Sequence, residues 1–188
     1  MSFVRQISGV VVADADGATL ASKLFHPRLL EKPRRARFEA ELRNKLGKIK
    51  DVDGSSRDVT IEVIDDFILQ VKQASDVMLC VIFESSENDL LMLGYTESLW
   101  RCMSLITSNS ITKKKVLEKL DSIFLMIDES CERGVILDDD ADSIMSKIDM
   151  KVSPTPDSTP PPTNASSMDS FRSALGQASG QLRSFLGR

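Results

Sequence analysis

The chain has 188 residues, 41% of them apolar, with a formal net charge of −4. That is enough for one ordinary core and short for two, so one domain plus a tail is expected. The acidic balance argues against nucleic acid as a partner, and no apolar run reaches the roughly 20 residues of a membrane span.

In chain order, FVRQISGVVVA (residues 3–13) mixes β-branched residues into an extended pattern, DADG supplies turn chemistry, and TLASKLF follows. This predicts a β-hairpin. The opening residues carry a charge at Arg5 and too short an apolar stretch for a secretory leader. Pro27 and Pro33 punctuate the exit, and PRRARFEAELRNKLG predicts a helix with Phe38, Leu42 and Leu46 on one face, closed by Gly47. After the polar loop KIKDVDGSSRD, the runs VTIEVIDDFILQVKQ and DVMLCVIFES bring the antiparallel strands to four or five.

The second half reads as helical. Ser86 is the expected N-cap of NDLLMLGYTESLWRCMSLIT, which is apolar around most of its circumference. Leu90, Leu91, Tyr95 and Trp100 cannot all face one sheet, so this helix is expected to contribute to a partner interface. TKKKVLEKLDSIFLMIDESC predicts a single amphipathic helix on the sheet. Glu132, Arg133 and Gly134 are expected to end it, with Gly134 in the left-handed position that follows a helix. Val135, Ile136 and Leu137 form an expected apolar clip and a further part of the interface. The aspartates beginning at Asp138 then start a last helix through Ile144, Met145 and Ile148.

Residues 151–167, KVSPTPDSTPPPTNASS, hold five of the seven prolines and no aromatic residue, which predicts a disordered, semi-rigid linker. Beyond it Phe171, Leu175, Leu182 and Phe185 fall on one face, the pattern of a short amphipathic helix weakened by Gly176 and Gly180. The expected organisation is a domain at 1–150, a linker at 151–167 and an amphipathic segment at 168–188.

Reactive constellations are missing from this text. Asp138, Asp140 and Asp142 imitate the start of an EF-hand loop, but Ser143 stands where its glycine belongs and Asp149 where its glutamate belongs, so no metal site is expected. His26, the single histidine, has no second positioned group to work with. No glycine-rich phosphate loop and no nucleophile elbow occurs. Cys80, Cys102 and Cys131 lie inside apolar runs and read as buried thiols of a reducing compartment. No catalytic residue and no cofactor is expected. Two basic clusters, Arg34–Arg35 and Lys113–Lys115, sit in first turns of helices, where the helix dipole disfavours cations. Each is either solvated surface or meets acidic protein or anionic lipid.

The stretches VVVADADGATLASKLF, SSENDLLMLGYTESLW, VLEKLDSIFLMIDE and GVILDDDADSIMSKI, in this order, resemble the coatomer zeta family of longin-like coat small subunits. The terminal QLRSFLGR is similar as well, whereas residues 47–58 and the proline-rich linker are not. The resemblance implies an α+β, longin-like (SNARE-like) domain, with an antiparallel sheet of about five strands flanked by helices. It implies a non-catalytic subunit of the coatomer vesicle coat, paired with the trunk of the coatomer gamma subunit within a heteroheptamer. Such a subunit would be cytoplasmic and peripheral on Golgi membranes, serving Golgi-to-ER and intra-Golgi transport after recruitment by an Arf-type GTPase. Two alternatives stay open. One is a sigma-type small chain of a clathrin adaptor. The other is a free-standing membrane-binding protein driven by the amphipathic tail.

Overall fold

The computed structural model describes residues 5–49 and 59–152. The first two residues of the expected linker, Lys151 and Val152, are helical, while its remainder and the tail residues Phe171, Leu175, Leu182 and Phe185 lie outside the described residues. Strands β1 (Gly9–Asp14) and β2 (Thr19–Leu24) form the first hairpin, followed by the short helix α1 (Pro27–Leu30) and by α2 (Lys32–Leu46). Three further strands, β3 (Thr60–Ile64), β4 (Phe67–Ala74) and β5 (Val77–Glu84), complete a five-stranded sheet in the order β2-β1-β5-β4-β3, antiparallel throughout.

The period-2 alternation of the central strands divides the core in two. On β5, Val77, Leu79, Val81 and Phe83 point to one face, while Met78, Cys80 and Ile82 point to the other. The second face is covered by α1 and α2 through Leu29, Phe38, Leu42 and Leu46. The first is covered by α3 (Asp89–Ile106), α4 (Lys113–Glu118), α5 (Leu120–Ser130) and α6 (Ala141–Val152). The sheet is thus sandwiched between two helical layers, and its central strands are buried on both sides.

Four local features differ from the sequence expectation. Helix α3 is capped by Asn88, whose side chain accepts from the N–H groups of Leu90 (3.0 Å) and Leu91 (3.3 Å), two residues later than Ser86. The single helix expected from Lys113 onward breaks at Lys119, which leaves the helical region at φ −116° and ψ 26° and separates α4 from α5. Helix α5 ends at Ser130 because Cys131 is extended (φ −150°, ψ 148°). Gly134 therefore does not follow a helix end. It sits instead in a hairpin turn between β6 (Cys131–Glu132) and β7 (Val135–Ile136). Arg133 (φ 49°) and Gly134 (φ 87°) are both left-handed, the signature of a type I′ two-residue turn.

This hairpin is tied to the start of the described chain. The Ile7 N–H donates to the Gly134 carbonyl (2.7 Å), the Ile136 N–H donates to the Arg5 carbonyl (3.1 Å), and Gln6 bridges Val135. The three cysteines are buried and unpaired, as their apolar surroundings in the sequence imply. Burial pushes the Cys102 thiol up to about 12 and raises those of Cys80 and Cys131 as well, so none is a ready nucleophile. The expected domain end at residue 150 falls inside α6, which runs to Val152.

Candidate partner interface

The N-terminal turns of α3 lie beside the edge strand β3. Leu90 is 77% and Leu91 47% exposed, and across from them on β3 Ile61 is 59% and Val63 52% exposed. Val59, Ile61, Gln70, Asp89, Leu90, Leu93 and Glu97 line a groove of about 480 Å³. Its floor is polar for a structural reason. The buried Gln70 side chain donates to the Asp89 carbonyl (3.0 Å) and accepts from the Thr96 hydroxyl (2.9 Å), clamping α3 to β4. Buried Lys72 pairs with Glu97 and lies 5.8 Å from the centre of the Trp100 ring. Gly94, in the second turn of α3, is exposed, and a Cβ added there would meet nothing within 4 Å among the described residues.

The expected interface residues therefore separate. Leu90 and Leu91 are surface. Tyr95 is wholly buried in this chain's own core and offers a partner no area, which corrects its expected place at an interface. Trp100 is half-buried against the same core. A helix squeezed between a sheet and further helices buries most of its circumference without outside help, and this is why its apolar surplus overstates the exposed face. The Ser130 hydroxyl donates to the Ile127 carbonyl (3.0 Å), which leaves the Tyr95 hydroxyl as donor to Ser130 Oγ (2.8 Å). Tyr95→Phe is expected to cost about 1 kcal/mol in urea unfolding, the worth of one buried hydrogen bond.

The hairpin and the turn after it form a second exposed site. Ile136 is 8% exposed and belongs to the core, Val135 is half-buried, and Leu137 is 60% exposed, so only Leu137 of the expected clip presents a large apolar surface. The aspartates that follow are each engaged by the protein itself. Asp139 pairs with Arg5, and Asp142 meets Arg101 at 2.9 and 3.1 Å. Asp140 caps α6 by accepting from the Ser143 N–H at 3.1 Å. Asp138 accepts from the Asp140 N–H (3.0 Å), the Ser143 hydroxyl (2.6 Å) and the Lys147 ammonium (2.6 Å). Facing different partners, these carboxylates do not converge on a common centre.

Burial pulls the Asp138 carboxyl upward, but Lys147, Ser143 and the Asp140 N–H outweigh it and hold its pKa down at about 2. A folded-state pKa below the unfolded one gives stability that is complete above about pH 4 and lost as pH falls towards 2. Asp138→Asn should therefore lower the melting temperature at pH 7 and flatten its decline below pH 4. A wild-type acid limb in the variant would show that Asp138 is not the group responsible.

The two basic clusters are held differently. Lys113 reaches Asp14 (2.8 Å) while its N–H bonds Asp76 (3.0 Å), and Lys115 donates to the Thr107 carbonyl (3.0 Å), so much of that cluster is absorbed internally. On α2, Arg35 pairs with Glu39 at 2.8 Å and Arg34 lies 3.9 Å from Glu31. His26 caps α1 through Nδ1, at 3.2 Å from the Arg28 N–H, and faces Glu84 at 3.1 Å.

The architecture and the text of the chain can be set beside known proteins. The family described as clathrin adaptor complex small chain matches residues 6–153. The chain belongs to the clathrin adaptor small-chain family. Among its curated relatives are coatomer subunit zeta-2 of Mus musculus and zeta-3 of Arabidopsis thaliana. The first is 26% identical over 145 residues, covering 77% of this chain and 67% of the relative, and the second 25% identical, covering 77% and 78%. A chain from a homology model of the full-length AP-3 complex in a stretched open conformation superposes with a TM-score of 0.58 at 11% identity, covering 77% of this chain and 92% of that one, which speaks to the fold alone.

This small chain is thus a zeta-like member of a non-catalytic family, and its sheet between helical layers is the longin-like adaptor fold that the sequence resemblance implies. Among the described residues, no helix is long and apolar enough to cross a membrane. Ile61, Val63 and Gly94 are surface features of this adaptor small chain that sequence reasoning missed. The β-branched alternation of TIEVI gives no sign that its strand lies at the sheet edge. A glycine amid the apolar residues of α3 was the available signal for Gly94.

Proposed function

We propose that the chain is a coatomer zeta-type subunit, that it pairs with the gamma-subunit trunk within the coat, and that it serves Golgi-to-ER and intra-Golgi vesicle transport. The similarity to coatomer zeta subunits over 145 residues carries this reading. Recruitment by an Arf-type GTPase and a cytoplasmic, Golgi-peripheral location belong to the same proposal. Exposed Leu90 and Ile61, which line one groove, together with exposed Leu91 and Val63 on the same two elements, are the apolar area that a clasping solenoid would cover, with Leu137 a second contact.

Gly94 supports the choice of α3. Glycine inside a helix costs about 0.5–1 kcal/mol relative to alanine, and none of the described residues occupies the space where its Cβ would be. An incoming surface that approaches the helix backbone closely gives the glycine a use. Gly94→Ala is expected to raise the stability of the free chain by about 0.5–1 kcal/mol in urea unfolding while weakening trunk binding by calorimetry. A variant that is both more stable and equally well bound would remove Gly94 from the interface.

The deciding experiment is co-expression with trunks of coatomer gamma and of clathrin-adaptor large chains, followed by affinity capture. Stable one-to-one recovery with gamma alone is expected. The sigma-type reading, favoured by the family's own description, predicts capture by an adaptor large chain instead. Deleting residues 151–188 is expected to leave gamma pairing intact, since the proline-rich composition of residues 151–167 predicts a spacer between domain and tail. Loss of pairing would place the tail within the main contact. Flotation of the tail segment with small and large liposomes examines the tail-driven alternative.

A further inference from the structure

We propose that the exposed face of α2 is a contact surface for an anionic lipid membrane. The two helical layers carry opposite charge. Residues 27–48, which include α1 and α2, hold eight Lys and Arg against three Glu, a net of +5 in a chain of total −4. Residues 89–152, which include α3 to α6 on the other face of the sheet, hold twelve Asp and Glu against eight Lys and Arg, or −4. The excess of positive charge therefore lies on one side of the domain.

Lys32, Arg34, Arg35, Arg37, Arg43 and Lys48 are all exposed. Arg35 is held by Glu39 and Arg34 is loosely opposed by Glu31, while Lys32, Arg37 and Arg43 make no ion pair among the described residues. Phe38, Leu42 and Leu46 fix which side of the helix is inside. At 100° per residue the opposite crest falls on Ala36, Ala40 and Asn44. Small crest residues flanked by long cationic side chains allow a flat surface to come close while lysine and arginine stems reach down to it on both sides. The fifteen-residue helix spans about 22 Å, so its cations are spread along a ridge instead of converging on a pocket. A ridge suits many diffuse charges better than one discrete anion, and charge of this kind near an anionic leaflet draws each cation towards it. The choice of lipid over an acidic protein surface rests on the coat-subunit reading, since a vesicle coat works against a membrane.

The test uses the full chain and sedimentation with phosphatidylcholine vesicles containing 30 mol% phosphatidylserine or none, at low and at high salt. The expected result is binding that requires phosphatidylserine and falls with salt. The triple variant Lys32→Glu, Arg37→Glu, Arg43→Glu should bind at least tenfold less. These changes leave the buried stripe of α2 untouched, and the double variant Lys32→Gln, Arg37→Gln, with a smaller loss in the same direction, serves if the reversal disturbs folding by circular dichroism. The tail is present in every arm, so the difference between variants reports on α2 alone. Equal binding by wild type and both variants, or binding indifferent to phosphatidylserine, overturns the proposal. So does a variant that keeps lipid binding but loses an acidic protein partner. Gamma capture by the triple variant is read separately: failure of wild type to capture any trunk undoes the coat reading, whereas retained capture with unchanged lipid binding undoes only the membrane face.

Discussion

Gly134→Ala is expected to destabilise the domain by about 2–5 kcal/mol, with the loss read as a lower urea midpoint at unchanged slope. A left-handed backbone costs an L-residue about 1–2 kcal/mol, and Gly134 has φ 87°. The larger part comes from space. A Cβ there would stand 2.5 Å from the Ile7 carbonyl oxygen and 3.1 Å from Phe25 Cβ. No rotamer change moves a backbone carbonyl, so either the hairpin or the segment at residues 5–7 must shift, at the roughly 1–3 kcal/mol typical of overpacking. Arg133→Gly is the companion measurement. Arg133 is left-handed at φ 49° and exposed, so glycine there should cost little or nothing. A Gly134→Ala cost below about 1 kcal/mol would mean that the hairpin does not hold the opening segment as described.

Leu90→Asp combined with Leu91→Asp should reduce affinity for a gamma-type trunk at least a hundredfold while leaving the melting temperature of the free chain near wild type. The asymmetry follows from exposure. Both side chains lie largely in water in the free chain, at 77% and 47%, so replacing them sacrifices little burial. In a complex each would be desolvated, and a truncated or charged replacement at the centre of an apolar contact commonly costs about 2 kcal/mol or more. Two such losses exceed a hundredfold at about 1.4 kcal/mol per tenfold. Titration calorimetry against purified trunk measures it. Undiminished affinity would move the contact away from the α3–β3 groove, with Leu137 as the next position to change.

The sheet was largely legible because its pattern is local. DVMLCVIFES announces a strand buried on both faces, and Phe38, Leu42 and Leu46 announce the inner side of α2. What escaped was decided at long range. Nothing near Lys119 marks a break, for neither proline nor glycine stands there. The need for a left-handed backbone at Gly134 was readable from the residue, but its motif was not, since Cys131 turns extended in a hairpin paired with residues far away in sequence. Tyr95 shows the limit for site residues. Apolar periodicity reports that a side chain leaves water, and it is silent on whether the cover comes from the same chain or another. Of the expected interface, the exposed Leu90, Leu91 and Leu137 keep their proposed role, while Tyr95 and Ile136 are the domain's own core.

The bridge between Gln6 and Val135, with the Arg5–Asp139 ion pair beside it, joins positions about as far apart as the described chain allows. A ribosome synthesising this chain releases β1 early, and Ser8 finds Phe25, His26 and Ile82 as they emerge, yet Arg5 and Ile7 have their backbone partners only when the hairpin emerges more than a hundred residues later. Closing so long a loop carries an entropic cost that local contacts cannot offset in advance. The fold is therefore sealed late, and a nascent chain halted before Gly134 would present its opening strand segment unlatched, available to chaperones or to wrong pairing.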